Sequence, residues 1–226
     1  MKIQELLESE QTQETLPGLN YMQTRQVRSP EFKSWFGDWE NGNDASVIRN
    51  DHGVPMIMYR GNPQDYGPIF RHDISQRYTH SSFGFFFTFS TERAGKYATF
   101  SSNQGHTQPV FLNIRNLLDL TAYKKLSVEA MTNSGVAISQ NTLHQLASPH
   151  HRDPVRPGEE AMHFIFFAAG GESLRHDITA LGYDGVIYPT GRDIFIVAFS
   201  PNQVKSAIGN KGTFKQDDDS IVDEEL

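Results

Sequence analysis

Apolar residues in this chain gather mostly into short continuous runs bounded by turn residues. Residues 194–199 are unbroken, rich in β-branched and aromatic side chains, and stopped by Ser200-Pro201-Asn202, which predicts a buried strand. Residues 85–89 and 110–114 read the same way, and 183–188 predict a short strand leading into 194–199. Residues 45–48, the turn 50–53 and residues 55–59 predict a hairpin. It delivers Tyr59-Arg60-Gly61-Asn62 at a strand end, a usual place for site residues.

Helical signals are interleaved with these runs. Ser29-Pro30 opens a helix with Ser as N-cap, Pro in the first turn and Glu31 near the positive end. Phe32, Trp35 and Phe36 give it one aromatic face, and Gly37 is a natural stop. Ser90 or Thr91 caps a second helix, with Glu92 in its first turn and Tyr97 along it. Residues 122–181 read as mainly helical, in segments 128–131, 141–147, 159–167 and 174–181, with a Pro-, His- and Arg-rich break at 148–158. Residues 62–82 form a long polar loop, which in a compact domain points to function or mobility. Strands and helices are partly segregated, so the fold class is α+β.

The ends differ from the middle. Ile3, Leu6 and Leu7 have helical spacing, but the Glu- and Gln-rich residues 8–14 have little to bury. Residues 1–28 therefore read as an appendage, either a mobile leader or a docking segment. Net charge is −7, and six acids between Asp217 and Glu225 carry most of it. Residues 215–226 read as an acidic disordered tail behind a nearly neutral body, which does not fit a nucleic-acid binder that relies on phosphate contacts. With 37% hydrophobic residues, 12% aromatics and 16 Phe, the 226-residue chain can build a core. It has no Cys, which excludes disulfides and Cys-based zinc sites and points to an intracellular setting. The longest apolar stretch, 164–171, is too short to span a bilayer, and the first residues lack a signal-peptide pattern.

Familiar catalytic signatures are missing: there is no nucleophile elbow and no glycine-rich phosphate fingerprint between strand and helix. His150-His151 has no matching second pair, so no metal is expected. Two side chains stand out by chemistry. Arg60 is a permanent cation with a planar donor fork suited to phosphate or a vicinal diol, against the plainer reading of a surface ion pair. Tyr97 offers a flat ring for stacking, against ordinary core packing.

Six segments in order resemble an ADP-ribosyltransferase domain of the kind found in phage and mobile-element polyvalent proteins. They are Ser29-Pro30-Glu31-Phe32-Lys33-Ser34-Trp35-Phe36-Gly37-Asp38-Trp39, Tyr59-Arg60-Gly61-Asn62, Gly84-Phe85-Phe86-Phe87-Thr88, Pro109 to Ile114, Gly182-Tyr183-Asp184-Gly185, and Phe199 to Asn210. The resemblance covers residues 29–214. It implies a domain of two packed, mostly antiparallel sheets around a cleft, with flanking helices. It implies NAD as ADP-ribose donor, held by Tyr59, Arg60, Gly61, Asn62, Phe87, Ser90, Tyr97 and Phe195, and no metal. The implied activity is mono-ADP-ribosyl transfer to a host protein or nucleic acid, in the host cytoplasm or a virion. Docking to a partner falls to residues 1–28 or the acidic tail, with no membrane. The other reading is a catalytically degenerate relative with a virion structural, partner-binding or NAD-binding role.

The resemblance departs from its pattern where the chemistry lies. Related enzymes carry a His, a Tyr and a Glu, and the matching positions here are Arg60, Tyr97 and Phe195. In the glycosidase precedent, hydrogen bonds to a sugar 2-hydroxyl strengthen in an oxocarbenium-like transition state. The Phe195 side chain accepts none. Arginine-directed toxins of related fold use an Arg at the Arg60 position and end in Glu-x-Glu. Asp193-Ile194-Phe195 resembles that ending with the second acid lost. Residues i and i+2 of a strand share a face about 6.5–7 Å apart, so Asp193 is expected beside Phe195. Three readings stay open: Asp193 serves in a shifted register, the acid comes from elsewhere, or the domain does no chemistry. The catalytic set is Arg60, Tyr97 and Asp193, with the acceptor approaching near residues 190–193.

Overall fold

The computed structural model describes residues 15–42, 44–65, 70, 80–99, 104–123, 128–146, 170–190, 193–208, 210 and 219–221. The predicted leader helix at 3–7, most of the loop 62–82, the helix at 159–167 and His150-His151 lie outside the described residues.

Local chemistry fixes the first elements. Asn20 and Gln23 form a reciprocal capping box that opens α1 (Tyr21–Arg28). Ser29 Oγ accepts from Phe32 N at 3.1 Å, Pro30 takes the first turn, and α2 (Pro30–Phe36) stops at Gly37. Gly37 has φ 98° and leaves room for the Asp44 carbonyl, which a Cβ would meet at 2.2 Å. The expected hairpin forms around its turn, with Met56 N donating to Ile48 O, Asn50 N to Val54 O and an antiparallel bridge between Arg49 and Pro55. Its turn is tight, with Asn50 Oδ1 accepting from His52 N and Val54 N, but only the second arm enters the sheet, as β1 (Met58–Asn62). The start of the first arm also bonds beyond the hairpin: Val47 N donates to Ile114 O and Ser46 Oγ to Leu112 O.

Further elements are α3 (His80–Phe83), β2 (Phe85–Thr88), α4 (Thr91–Thr99), β3 (His106–Leu112), β4 (Leu117–Asp119), α5 (Val128–Asn133), α6 (Gln140–Leu146), α7 (Gly170–Thr179), β5 (Gly185–Thr190), β6 (Asp193–Ala198) and β7 (Val204–Ser206). The strands form one seven-stranded sheet of order β4-β5-β6-β2-β1-β3-β7. All pairings are antiparallel except β4 with β5. The fold is α+β, with one mixed sheet where two packed sheets were expected.

The sheet nevertheless has a seam. Among the described residues β1 meets β2 through the single pair Tyr59↔Thr88, whereas β1 and β3 are paired from Met58↔Val110 to Asn62↔His106. Each half carries its own cover on the face that holds Phe195, here called the front. Met131, Leu174 and Ile178 from α5 and α7 pack on Val186, Tyr188, Phe195 and Val197. Val27, Phe32, Trp35 and Phe36 from α1 and α2 pack on Phe111 and Ala207. The back face buries Met58, Phe85, Phe87, Val110, Ile196 and Val204 with Ile48 and Ile221.

The described parts of both end segments pack on the sheet. Val27 is fully buried in the front core, Trp39 Nε1 donates to Val27 O at 2.8 Å, and Gln26 Nε2 donates to Ser206 O at 2.8 Å. At the other end Ser220 and Ile221 are buried, and Ser206 N donates to Ile221 O at 2.7 Å. At both places polar side chains and backbone groups bond to the sheet edge.

Candidate active site

The expected site residues separate into two groups, and strand alternation is the cause. Tyr59 lies opposite Thr88, which lies opposite Phe195, which lies opposite Tyr188. Directly opposed residues share a face, so all four belong to the front. Arg60, one step on, points to the back.

On the front, α4 lies over β1 and β3, and two of its side chains reach across to β6 in matched steps. Residues four apart on a helix rise about 6 Å, close to the two-residue step of a strand. Arg93 and Tyr97 therefore face Asp193 and Phe195 in turn. Arg93 Nε lies 3.1 Å from Asp193 Oδ2. The Tyr97 ring meets Phe195 edge-on at 5.7 Å between centroids, and Arg93 Cζ sits 5.2 Å from the Tyr97 ring centre. Phe195 also stacks on Tyr188 at 6.1 Å with an interplanar angle of 25°. Tyr97 is 45% exposed while Phe195 is only 6% exposed, so the tyrosine forms the accessible wall and the phenylalanine the floor. Asp193 shares the front with Phe195, as the two-residue spacing predicts.

Glycine brings α4 this close. A Cβ on Gly61 would lie 1.9 Å from the Ala94 carbonyl, and one on Gly105 would lie 1.9 Å from the Ala98 carbonyl. Gly61 thus seats the helix and cannot be replaced without moving it. Ser90 is the N-cap, its Oγ accepting from Arg93 N at 3.2 Å, which sets the rotation that aims Arg93 at β6.

On the back, Arg60 is tied into the sheet. Its Nε donates to Asn62 Oδ1 at 3.0 Å, its Nη1 to Phe86 O at 3.3 Å, and its Cζ lies 5.2 Å from the Phe70 ring centre and 6.0 Å from that of Phe87. Asn62 Nδ2 continues to Gln108 Oε1 at 3.0 Å. This relay from β2 through β1 to β3 spans the seam where ladder bonds are missing. Arg60, Asn62 and Phe87 therefore lie on the back of the sheet, and Tyr97 and Asp193 on the front.

Sequence reasoning missed Arg93 and Tyr188. Arg93 carries a signal, its four-residue spacing from Tyr97, but that spacing does not say which helix face meets the sheet. Tyr188 lies in a run read only as a strand. Its phenol is pushed well above its usual value of 10.0, mainly by burial and then by the nearby Tyr97.

The segments that carry the family resemblance most clearly do other work. Gln203 Oε1 accepts from Phe199 N and Ser200 N, and its Nε2 donates to Asp184 O. The Asp184 carboxylate accepts from Arg115 N and Asn116 N, both at 2.9 Å. These bonds knit the far end of the sheet and frame a groove of about 390 Å³ that includes Tyr183, Asp184, Phe199 and Gln203. Among the described residues no helix is long and apolar enough to cross a membrane. No group of three or more His, Cys, Asp or Glu side chains among them is placed to hold a metal ion.

Comparison with curated proteins and with solved structures finds no match. A sequence model of the family described as ADP-ribosyltransferase in polyvalent proteins matches residues 50–214. The matched span begins after α2 and its aromatic motif, and it contains every strand of the sheet together with the α4–β6 site. Covering well over half of the chain, the match shows that this protein belongs to the ADP-ribosyltransferase family of polyvalent proteins.

Proposed function

We propose that the protein is a mono-ADP-ribosyltransferase that takes NAD as donor and modifies a host macromolecule, in the setting of a phage or mobile element. Members of the family use NAD as their substrate. The observation that carries the reading is the placement of Asp193 and Tyr97 on one face, with the carboxylate one strand step from the position of the family's glutamate. The donor supplies an ADP-ribosyl group whose C1′ is bonded to nicotinamide. In transfer that bond breaks, nicotinamide leaves with its electron pair, C1′ bonds to the acceptor atom, and the acceptor loses a proton. The chain's part is electrostatic and positional: the Asp193 carboxylate accepts a ribose hydroxyl hydrogen bond and offsets positive charge near C1′, and Tyr97 provides a ring for stacking. Residues 1–14 and the acids beyond residue 221 serve partner docking, in the host cytoplasm or a virion.

One observation favours a second reading. Phe195 is sealed between Tyr97 and Tyr188 where the family's acid would stand. A protein that binds NAD without turning it over fits that arrangement.

The test is to incubate the protein and its Asp193→Asn variant with a host lysate and NAD labelled in the adenylate. Nicotinamide release is followed together with label on macromolecules by mass spectrometry. The expected result is labelled product, reduced on the order of 100-fold in the variant. Neither release nor label, with NAD still bound, would sink the transferase reading and leave the binding one.

A further inference from the structure

We propose that Arg93 is a diphosphate-binding residue that closes the site at rest by pairing with Asp193, so that the donor's own diphosphate releases the acid. The proposal rests on the NAD reading above. Its basis is the position of one guanidinium between the two side chains assigned to the chemistry, 3.1 Å from the Asp193 carboxylate and over the Tyr97 ring. Arg60, the cation expected to hold the donor, points to the opposite face and is bonded into the sheet.

The Arg93–Asp193 pair is loose. Arg93 Nε is buried, yet it makes no hydrogen bond of good geometry among the described residues. The two side chains are 32% and 26% exposed. A partly solvated pair of this kind contributes little. A guanidinium fork binds phosphate oxygens bidentately and more strongly than a carboxylate reached through one nitrogen. The Tyr97 ring offers the guanidinium a second contact that does not depend on Asp193. Exchange of Asp193 for a diphosphate therefore gives up a weak contact for a strong one. It leaves the Asp193 carboxylate uncompensated only when the donor is present. A site built this way keeps its acid paired in the empty protein and couples donor binding to activation through one residue.

Calorimetric titration of the full chain with ADP-ribose, with ADP and with adenosine tests this without requiring turnover. Four proteins are compared: the unsubstituted chain, Asp193→Asn, Arg93→Gln and the double variant. Asp193→Asn should tighten ADP and ADP-ribose binding by about 2–5-fold, because Arg93 is set free. Arg93→Gln should weaken both by about 10-fold or more, and Asp193→Asn should have no effect in that background. Adenosine should not distinguish the four. Arg93→Lys keeps the charge and loses the fork, so an intermediate loss is expected, and that variant serves if Arg93→Gln misfolds. ADP-ribose affinity that Arg93 substitutions leave unchanged overturns the proposal, as does Asp193→Asn that weakens binding or acts equally in both backgrounds; in either case the NAD reading stands. Failure of the unsubstituted chain to bind NAD or ADP-ribose overturns both.

Discussion

Phe195 lies flat against Tyr188 and meets the edge of Tyr97, so an acid introduced there would be buried among rings. Phe195→Glu puts the family's carboxylate in place but loses aromatic packing and desolvates a charge. A stability loss of about 3 kcal/mol is expected, read from the denaturant midpoint, even if nicotinamide release rises. Tyr188 gives a second prediction. Its phenol is held well above 10.0 by burial, so above pH 10 the unfolded chain loses this proton while the folded chain keeps it. The unfolded state then binds fewer protons, and stability falls as pH rises. Phenolate absorbance should show one late-titrating tyrosine, and Tyr188→Phe should remove it along with its share of the alkaline destabilisation. At this scale the strand period made Asp193 and Phe195 legible as neighbours on one face. It could not place Arg60, because alternation fixes faces only within a strand and the register Tyr59↔Thr88 is a long-range fact.

The seam between β1 and β2 is where elements rather than residues decide behaviour. One ladder pair joins the strands there, and the Phe86–Arg60–Asn62–Gln108 relay supplements it on the back. On the front, α4 lies against Gly61. Arg60→Met should leave Asn62 Oδ1 without that donor in a 6% exposed side chain, costing about 2 kcal/mol. Hydrogen exchange should quicken at β1 and β2 amides while β5 and β6 stay protected. Gly61→Ala acts from the other face. The new methyl would overlap the Ala94 carbonyl, so α4 must lift and carry Arg93 and Tyr97 away from β6. Loss of donor binding with β6 itself untouched is the expected result, measured by the same titration as above. The strands themselves were legible from their apolar runs. The single sheet was not, because a split fold and a sheet with a thin seam contain the same runs. The first hairpin arm pairs with the second near the turn but stays out of the sheet, because Ser46 and Val47 bond to Leu112 and Ile114.

Across the whole molecule, both ends of the described chain close over the β7 edge. Gln26 Nε2 reaches Ser206 O from the N-terminal side. From the C-terminal side Lys205 Nζ donates to Ser220 O at 2.5 Å, Asn210 Nδ2 donates to Ile221 O at 2.7 Å, and Ile221 enters the back core at 1% exposed. An unprotected edge strand invites pairing with other chains, and here two segments of the chain itself cover it. Composition could not reveal this, since Gln23, Gln26 and Ser220 look solvated until their backbone partners are known. Structural cover by residues 219–221 predicts a definite outcome for Ile221→Ala. As cover, the change empties a packed site and costs about 3 kcal/mol, lowering the denaturant midpoint and quickening amide exchange along β7. ADP-ribose affinity at temperatures below unfolding should be unchanged, because Asp193 lies across the seam from β7 and Arg93 and Tyr97 lie on α4, which packs on β1 and β3 rather than on β7. An unchanged midpoint would overturn the covering role. Pairing it with Gln26→Ala sharpens the comparison: both side chains secure the same strand, so their combined cost should depart from the sum of the two.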